Sequence, residues 1–255
     1  MQKITSTTNQ TIKNLAKLNK KKYREQERYY LIEGFHLVDE AFKSKLNFKY
    51  LLATPAAFEK LNIQYQLDLT DKRLVQINER VAKHLSATTN SQDVFMVLKI
   101  NQPKHFTFNF GKWILLDSLA DPGNIGTIIR TADAAGFNGV VLSENCADLY
   151  NPKTQRAMQG SQFHLPIIKA DLLKTIEQFK ENYIPVYASV LDDEAKELPD
   201  FEKTKELALI IGNEANGVSD EAVNLADEKL FIPIKGQAES LNAAIAAGIM
   251  IYHFA

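Results

Sequence analysis

Two apolar runs near the carboxyl terminus each lead into a glycine-bearing polar loop and then into a helical pattern. The first reads LIIGNEANGVSDE over 209–221, and the second reads KLFIPIKGQAESLNAAIAAGIMIYHF over 229–254. In open α/β sheets, ligands bind at loops that follow the carboxyl ends of strands. Two such loops so close in sequence predict one shared pocket.

Length and composition set the class of protein. With 255 residues and a 45% apolar fraction, the chain can bury a sizeable core in one large or two small domains. The formal net charge of −1 identifies no charged partner by itself. Cys146 is the single cysteine, which excludes a disulfide framework within the chain and fits a reducing compartment. No signal-like or membrane-spanning apolar run occurs, so we expect a soluble, cytoplasmic protein with no membrane contact.

The first hundred residues alternate between strand and helix patterns. The apolar runs at 29–34, 48–54, 73–77 and 93–100 are typical of strands, and the pattern at 35–44 is helical. This alternation predicts a small α/β domain over residues 1–100. Residues 101–111, NQPKHFTFNFG, have no helical period and form the predicted linker.

A local basic patch lies between Met1 and Arg28, where Ile12, Leu15 and Leu18 sit at helical spacing. Its cations include Lys20, Lys21, Lys22 and Arg24. One reading is phosphate contact with nucleic acid, and the other is a solvated helix face. Charge alone leaves both open.

The second domain is predicted over 112–255 and begins with a strand–helix–strand unit. KWILLDS is a buried strand, Asp121 is a good N-cap, and Pro122 suits the first helical position. Asn124 lies in the first turn and Arg130 about two turns later. An arginine this near a strand's carboxyl end either projects over the ligand crevice or lies on the surface.

The later part of the second domain continues the same alternation. We predict a helix capped by Asn151 and closed by Gly160, strands at FHLPII, IPVYASV, ELALIIG and 229–234, and a final helix capped by Ser240. The small residues of that last helix permit close packing on the sheet or across a two-fold axis.

Several common enzyme classes are disfavoured by missing motifs. The chain lacks the dinucleotide pattern G-x-G-x-x-G and the phosphate loop G-x-x-x-x-G-K-[ST], which sets aside nicotinamide enzymes and nucleotide hydrolases of those types. The histidines are scattered without metal-ligand spacing, so we expect no metal.

Three stretches, taken together and in order, point to a family. They are NIGTIIRTADAAG (124–136), IIGNEANGV (210–218) and IPIKGQAESLNAAIAAGI (232–249). They resemble the three motifs of the SpoU/TrmH class of S-adenosylmethionine-dependent RNA ribose methyltransferases, over roughly residues 113–255. Residues 20–41 also resemble the ribosomal-protein-like substrate domain of many members.

The resemblance implies a fold and a site. The fold is a small amino-terminal α/β domain followed by an α/β-knot methyltransferase domain, with a mostly parallel sheet and a deep carboxyl-terminal trefoil knot. The implied donor-binding residues are Gly212, Asn213, Ile232, Ile234, Gly236, Ser240 and Leu241. The implied catalytic residues are Arg130, Asn124, Glu214, Ser240 and Asn242. The residues expected to bind RNA are Lys20, Lys21, Lys22, Arg24 and Arg130.

The implied activity is methyl transfer from S-adenosylmethionine to a ribose 2′-hydroxyl of structured RNA. The leading domain favours ribosomal RNA of the 23S type, and a homodimer completes the active site. Arg130 is either a base after local perturbation or electrostatic support for a developing alkoxide. Alanine at position 244, where the family often has serine, puts a hydroxyl role there in doubt. A transfer-RNA ribose methyltransferase and a non-catalytic RNA-binding module of the same fold remain as alternatives.

Overall fold

The computed structural model describes residues 1–101, 106–192 and 194–255. Contacts divide the chain into two compact units. The first contains residues 1–101 and 150–163, and the second contains the remaining described residues. No helix among the described residues is both long enough and apolar enough to cross a membrane.

The first part of the chain forms ten helices and strands over the described residues 1–101. They are β1 Gln2–Ile4, α1 Gln10–Lys17, α2 Lys21–Glu27, β2 Tyr29–Glu33, α3 Phe35–Lys43, β3 Phe48–Ala53, α4 Pro55–Tyr65, β4 Leu74–Ile77, α5 Glu79–Leu85 and β5 Val94–Lys99.

The sheet of the first unit has the strand order β1-β4-β3-β5-β2. β1, β4 and β3 run parallel, and β5 is antiparallel to both β3 and β2. Side chains alternate between its faces. Ile32 and Met96 belong to one buried cluster, whereas Leu31 and Phe95 belong to another. The sheet is therefore covered by a core on each face.

The remaining elements follow in chain order. They are β6 Lys112–Leu116, α6 Pro122–Ala134, β7 Gly139–Leu142, α7 Pro152–Met158, β8 Ile167–Lys169, α8 Leu172–Glu181, β9 Val186–Ser189, β10 Lys196–Glu197, β11 Leu207–Ile211, α9 Asp220–Leu225, β12 Glu228–Phe231 and α10 Ala243–Phe254.

The second unit is built on a parallel sheet with the order β10-β12-β9-β11-β6-β7-β8. All of its pairings are parallel. β6 and β11 are neighbours, and Leu116 at the end of β6 is the register partner of Ile211 at the end of β11. The loops that follow these two strands therefore leave the same edge of the sheet side by side.

Several predicted boundaries were wrong for local reasons. The helical pattern that begins at Gln10 ends at Lys17, and a second helix, α2, begins at Lys21. The strand predicted at FHLPII is shorter than expected and corresponds to β8 alone. Phe163 instead lies in a 3₁₀ turn, where its amide donates to the Gly160 carbonyl at 2.9 Å. β12 ends at Phe231, two residues before Pro233, which has no amide hydrogen for a ladder.

Helix α7 groups with the first unit, although the sequence placed it in the second domain. The Tyr150 ring lies 4.7 Å from that of Tyr30, and a ring nitrogen of His36 lies 3.0 Å from the Gln159 carbonyl. These contacts tie α7 to the sheet and to α3. Residues 102–105 of the predicted linker lie outside the described part of the chain.

Candidate active site

Helix α6 begins with the cap that the sequence predicts. The Asp121 carboxylate accepts hydrogen bonds from the amides of Gly123 and Asn124, at 2.6 and 3.0 Å, and Pro122 is the first helical residue. A side-chain cap satisfies amides that have no partner within the helix. It fixes Asn124 in the first turn, at the carboxyl edge of the sheet.

The loop after β11 closes on itself. The amide of Asn213 donates to the Gly217 carbonyl at 2.8 Å, and the reverse bond measures 2.9 Å. The Asn213 side-chain oxygen accepts from the amides of Ala215 and Asn216. A Cβ on Gly212 would lie 2.1 Å from the Gly217 backbone, so only glycine fits there.

Glu214 joins this loop to the start of α6. Its carboxylate accepts the amides of Ala120 and Asp121, each at 3.1 Å, and the side-chain amide of Asn124 at 2.9 Å. The side-chain amide of Asn213 donates to the Ser118 carbonyl at 2.7 Å. The loops after β6 and β11 are therefore held as one structure.

These hydrogen bonds act on the titration of Glu214. Partial burial raises the pKa of its carboxyl, but the bonds from the Asn124 side chain and from the amides of Ala120 and Asp121 favour the charged form and outweigh it. The net result is a pKa below the ordinary value. Glu214 is thus an ionised acceptor at neutral pH.

Asn242 completes the network from the far end of the chain. Its side-chain oxygen accepts from the amides of Ala244 and Ile245, at 2.9 and 3.3 Å, which makes it the N-cap of α10. Its side-chain amide donates to the Asn124 side-chain oxygen at 3.1 Å. Three predicted catalytic residues, Glu214, Asn124 and Asn242, are therefore linked. The prediction that Ser240 caps this helix was wrong.

The second glycine-bearing loop is more open. Ile232 and Ile234 are half-buried, whereas Gly236, Ser240 and Leu241 are exposed. Among the described residues, positions 232–241 take part in no hydrogen bond. Their backbone groups thus remain available to a ligand, beside two half-buried apolar side chains.

Arg130 and Ser240 are not joined to the network. Arg130 is exposed on α6, and it makes no hydrogen bond or ion pair with another described residue. Ser240 likewise has no hydrogen bond within the described chain. The assignments of these two residues stay predictions.

The predicted RNA-binding cations separate into two groups. Lys20, Lys21 and Lys22 are exposed, with Lys21 in a loose ion pair with Glu25 at 3.8 Å. Arg24 is only 3% exposed, and its guanidinium donates to the Leu18 carbonyl at 2.6 Å. Arg24 therefore tethers α2 to the turn after α1. This burial corrects its placement on an RNA-facing surface.

Sequence reasoning missed a buried carboxylate beneath the site. Asp117 follows β6, is 6% exposed, and accepts bonds from the amide and the hydroxyl of Ser219 at 2.9 and 2.6 Å. It anchors the far end of the β11 loop to the end of β6. The available signal was an acidic residue directly after the apolar run 113–116.

The fold and site define a two-unit α/β protein whose second unit carries a loop-built site at the carboxyl ends of parallel strands. Within the described residues, no group of three or more His, Cys, Asp or Glu side chains could hold a metal ion. The chain belongs to the SpoU rRNA methylase family, whose sequence model matches residues 111–252. A second family model, the MRM3-like substrate binding domain, matches residues 9–96.

Named relatives match nearly the whole chain. The 23S rRNA (guanosine(2553)-2′-O)-methyltransferase RlmP of Bacillus subtilis is 38% identical over 99% of each chain. An rRNA methyltransferase from Sinorhizobium meliloti, whose crystal structure has AdoMet bound, is 31% identical in sequence. The match covers 99% of this chain and 96% of that one, with a TM-score of 0.87. The SpoU methyltransferase AviRb from Streptomyces viridochromogenes, in complex with AdoMet, is 25% identical over 96% of each chain, with a TM-score of 0.82.

These matches confirm the fold class expected from the three motifs. The chain is an α/β protein with a mostly parallel second sheet, and the knot is a property of the fold family to which it belongs.

Proposed function

We propose that this protein transfers a methyl group from S-adenosylmethionine to a ribose 2′-hydroxyl of 23S-type ribosomal RNA. The observation that carries the proposal is the hydrogen-bonded set of Glu214, Asn124 and Asn242, held where the loops after β6 and β11 meet. The named relatives, an rRNA 2′-O-methyltransferase among them, support this activity over transfer-RNA methylation and over non-catalytic RNA binding.

The open loop fits the methyl donor by its chemistry. When bound, S-adenosylmethionine supplies an electrophilic methyl group on a positively charged sulfur. Ile232, Ile234 and Leu241 offer apolar contact for its base, and the unused backbone groups of 232–241 offer hydrogen bonds to its polar edges. Asn213 and Gly212 hold the adjoining closed loop, while Gly236 and Ser240 shape the open one.

Arg130 serves the acceptor side of the reaction. A ribose hydroxyl is a weak nucleophile that must lose its proton as it attacks. Arginine stays protonated in proteins, so its guanidinium suits electrostatic support of the developing alkoxide and positioning of a nearby phosphate. No other side chain in the described part of the chain pairs with it, so it is available to the RNA.

The first unit is proposed to bind the RNA. Residues 1–101 and 150–163 contain 19 Lys and Arg against 10 Asp and Glu, whereas the rest of the chain holds 11 against 21. The near-neutral total thus hides a basic unit and an acidic one. Phosphate binding favours the basic unit. We therefore assign RNA binding to residues 1–100 together with 150–163, a linker to 101–111, and methyl transfer to the rest of 112–255.

A homodimer is proposed through α10. Ile245, Ile249 and Tyr252 are 56%, 43% and 57% exposed, and their spacing places them along one face of the helix. A contiguous apolar helix face on the surface is typical of an interaction site. A second copy would cover it, and could bring its own Arg130 to the network of its neighbour. A cytoplasmic location follows from the proposed substrate.

The test is to map ribose methylation in ribosomal RNA from cells with and without the gene. One 23S ribose should lose its methyl group in the deletion strain and regain it on complementation. The purified protein should then methylate unmodified 23S rRNA with S-adenosylmethionine. Donor binding without transfer to any RNA would favour a non-catalytic module, and transfer to transfer RNA alone would favour the other alternative.

A further inference from the structure

A lysine lies between two tyrosine rings at one end of the sheet in the first unit. The Lys49 ammonium is 4.2 Å from the centre of the Tyr29 ring and 6.0 Å from that of Tyr50. Both rings are half-buried and pack partly against a core cluster of the unit, whereas Lys49 is exposed. The core therefore holds the rings in place while part of each stays accessible.

A β-bulge directs Lys49 to this position. The register of β3 against β5 shifts between Phe48 and Tyr50, so Lys49 has no partner in the ladder. Bulges re-aim a side chain and are common beside functional sites. Among the described residues, Lys49 has no acidic partner that would neutralise it.

Two further cations are close to Tyr29 in strand register or in sequence. Lys99 is exposed and is the register partner of Tyr29. Arg28, directly before Tyr29, is exposed and has a left-handed backbone with φ of 60°. We name Tyr29, Lys49, Tyr50 and Lys99 the tyrosine–lysine surface.

We propose that the tyrosine–lysine surface binds an unpaired segment of the RNA substrate. Aromatic side chains stack on unpaired bases, and lysines between them contact the phosphates. The rings are fixed by the core, so stacking costs little side-chain entropy. The positive charge of the unit complements RNA. The inference deepens the proposed function and rests on it, and it concerns residues other than Lys20–Lys22.

The first test measures RNA affinity by fluorescence anisotropy, using a labelled oligouridylate of about 12 nucleotides and unmodified 23S rRNA. Lys49→Ala should weaken oligouridylate binding about fivefold at ~0.15 M salt and lower the slope of log K against log salt by about 0.7. Tyr29→Leu keeps an apolar side chain on the core but should weaken binding at least fivefold without changing the slope. Tyr29→Phe should restore affinity, and Lys83→Ala is the exposed-lysine control.

The second test is photocrosslinking of the full chain to the same oligomer carrying 4-thiouridine. Crosslinked peptides should contain Tyr29 or Tyr50. Crosslinks confined to other peptides, or unchanged affinity in both Lys49→Ala and Tyr29→Leu, would overturn the inference. Equal binding of a duplex of the same length, equally weakened by Lys49→Ala, would also overturn it, because a duplex offers no unstacked base.

Methylation of 23S rRNA by the wild-type protein, measured in parallel, separates the two proposals. If the wild-type protein methylates 23S rRNA and the variants bind RNA normally, the proposed role of the tyrosine–lysine surface is contradicted and the proposed function stands. Absence of transfer by the wild-type protein contradicts the proposed function instead.

Discussion

The side-chain amide of Asn242 donates a hydrogen bond of 3.1 Å to the side-chain oxygen of Asn124, although the two residues are 118 positions apart. Each residue also lies at the start of a helix, and α6 and α10 pack on each other. The bond thus sets the position of one helix start relative to the other. The side-chain nitrogen of Asn124 donates to Glu214, so the same link also includes the loop after β11.

Two substitutions of Asn242 separate capping from the link to Asn124. Asn242→Ala removes the cap of α10 and should cost about 1 kcal/mol of stability. Asn242→Asp retains a capping acceptor but cannot donate to Asn124, so it should fold with near-normal stability and lose most methyl transfer. Urea unfolding and a methyl-transfer assay measure the two effects. Equal activity in Asn242→Asp and wild type would show that the link to Asn124 is dispensable.

Arg130→Ala should retain donor binding and lose methyl transfer by about 100-fold or more, as expected for removal of charge stabilisation. The guanidinium is exposed and supports no other described residue, so the variant should unfold like wild type. Isothermal titration with S-adenosylmethionine and single-turnover methylation provide the readouts. Lys174→Ala, an exposed cation on α8, is the control. Near-normal turnover in Arg130→Ala would remove this residue from the mechanism.

Glu214 should make stability depend on pH in a defined direction. Its folded-state pKa lies below the ordinary value of 4.5, so its contribution is fully present above about that pH and is lost as the pH falls through the lowered value. Glu214→Gln should cost about 1 kcal/mol at pH 7, because one backbone amide loses its acceptor. The difference from wild type should shrink on acidification. Urea unfolding between pH 7 and pH 3 measures it, with exposed Glu221→Gln as control, and a pH-independent difference would contradict this account.

Gly212→Ala should destabilise the second unit by about 1–3 kcal/mol and weaken donor binding, because the added Cβ would displace the backbone at Gly217 and Val218. Gly236→Ala is the matched control for folding, since a Cβ there meets no atom within 4 Å and its φ is not in the left-handed region. Thermal unfolding of both variants provides the comparison. Equal melting temperatures would mean that the closed loop can relax around a side chain.

Ile249→Asp should convert the proposed dimer into a monomer, because a buried, unpaired carboxylate at an apolar interface is strongly unfavourable. Light scattering after size-exclusion chromatography measures the mass. Ile63→Asp is the control, since Ile63 is 78% exposed on the first unit. A wild-type monomer at all concentrations would contradict the proposed interface, and a dimeric Ile249→Asp would place the interface elsewhere.

Local chemistry explains why much of the fold could be predicted. Asp121, Pro122 and the apolar stripe of α6 specify a helix start that needs no distant partner, and the helix forms there. The apolar runs of β6 and β11 likewise specify buried strands, and both are fully or almost fully buried.

Long-range packing decided the features that sequence reasoning missed. Ser240 and Asn242 are both good caps two residues apart, and the bond to Asn124 accompanies the choice of Asn242. In sequence, Arg24 cannot be distinguished from the exposed lysines beside it. In the structure it is buried because its guanidinium donates to the Leu18 carbonyl in the turn after α1. The network around Glu214 was expected from family resemblance alone, because no local pattern relates residues 90 or more positions apart.

The two pocket loops differ in how far they are organised in advance. The loop after β11 is closed by its own backbone hydrogen bonds, so its conformation is preorganised before a ligand binds. Positions 232–241 have no hydrogen bond among the described residues, so hydrogen bonds to a ligand would restrict a backbone segment that no such bond of the described chain holds. Association with the donor should therefore release heat and lose entropy, with most of that entropy lost by one short segment of backbone.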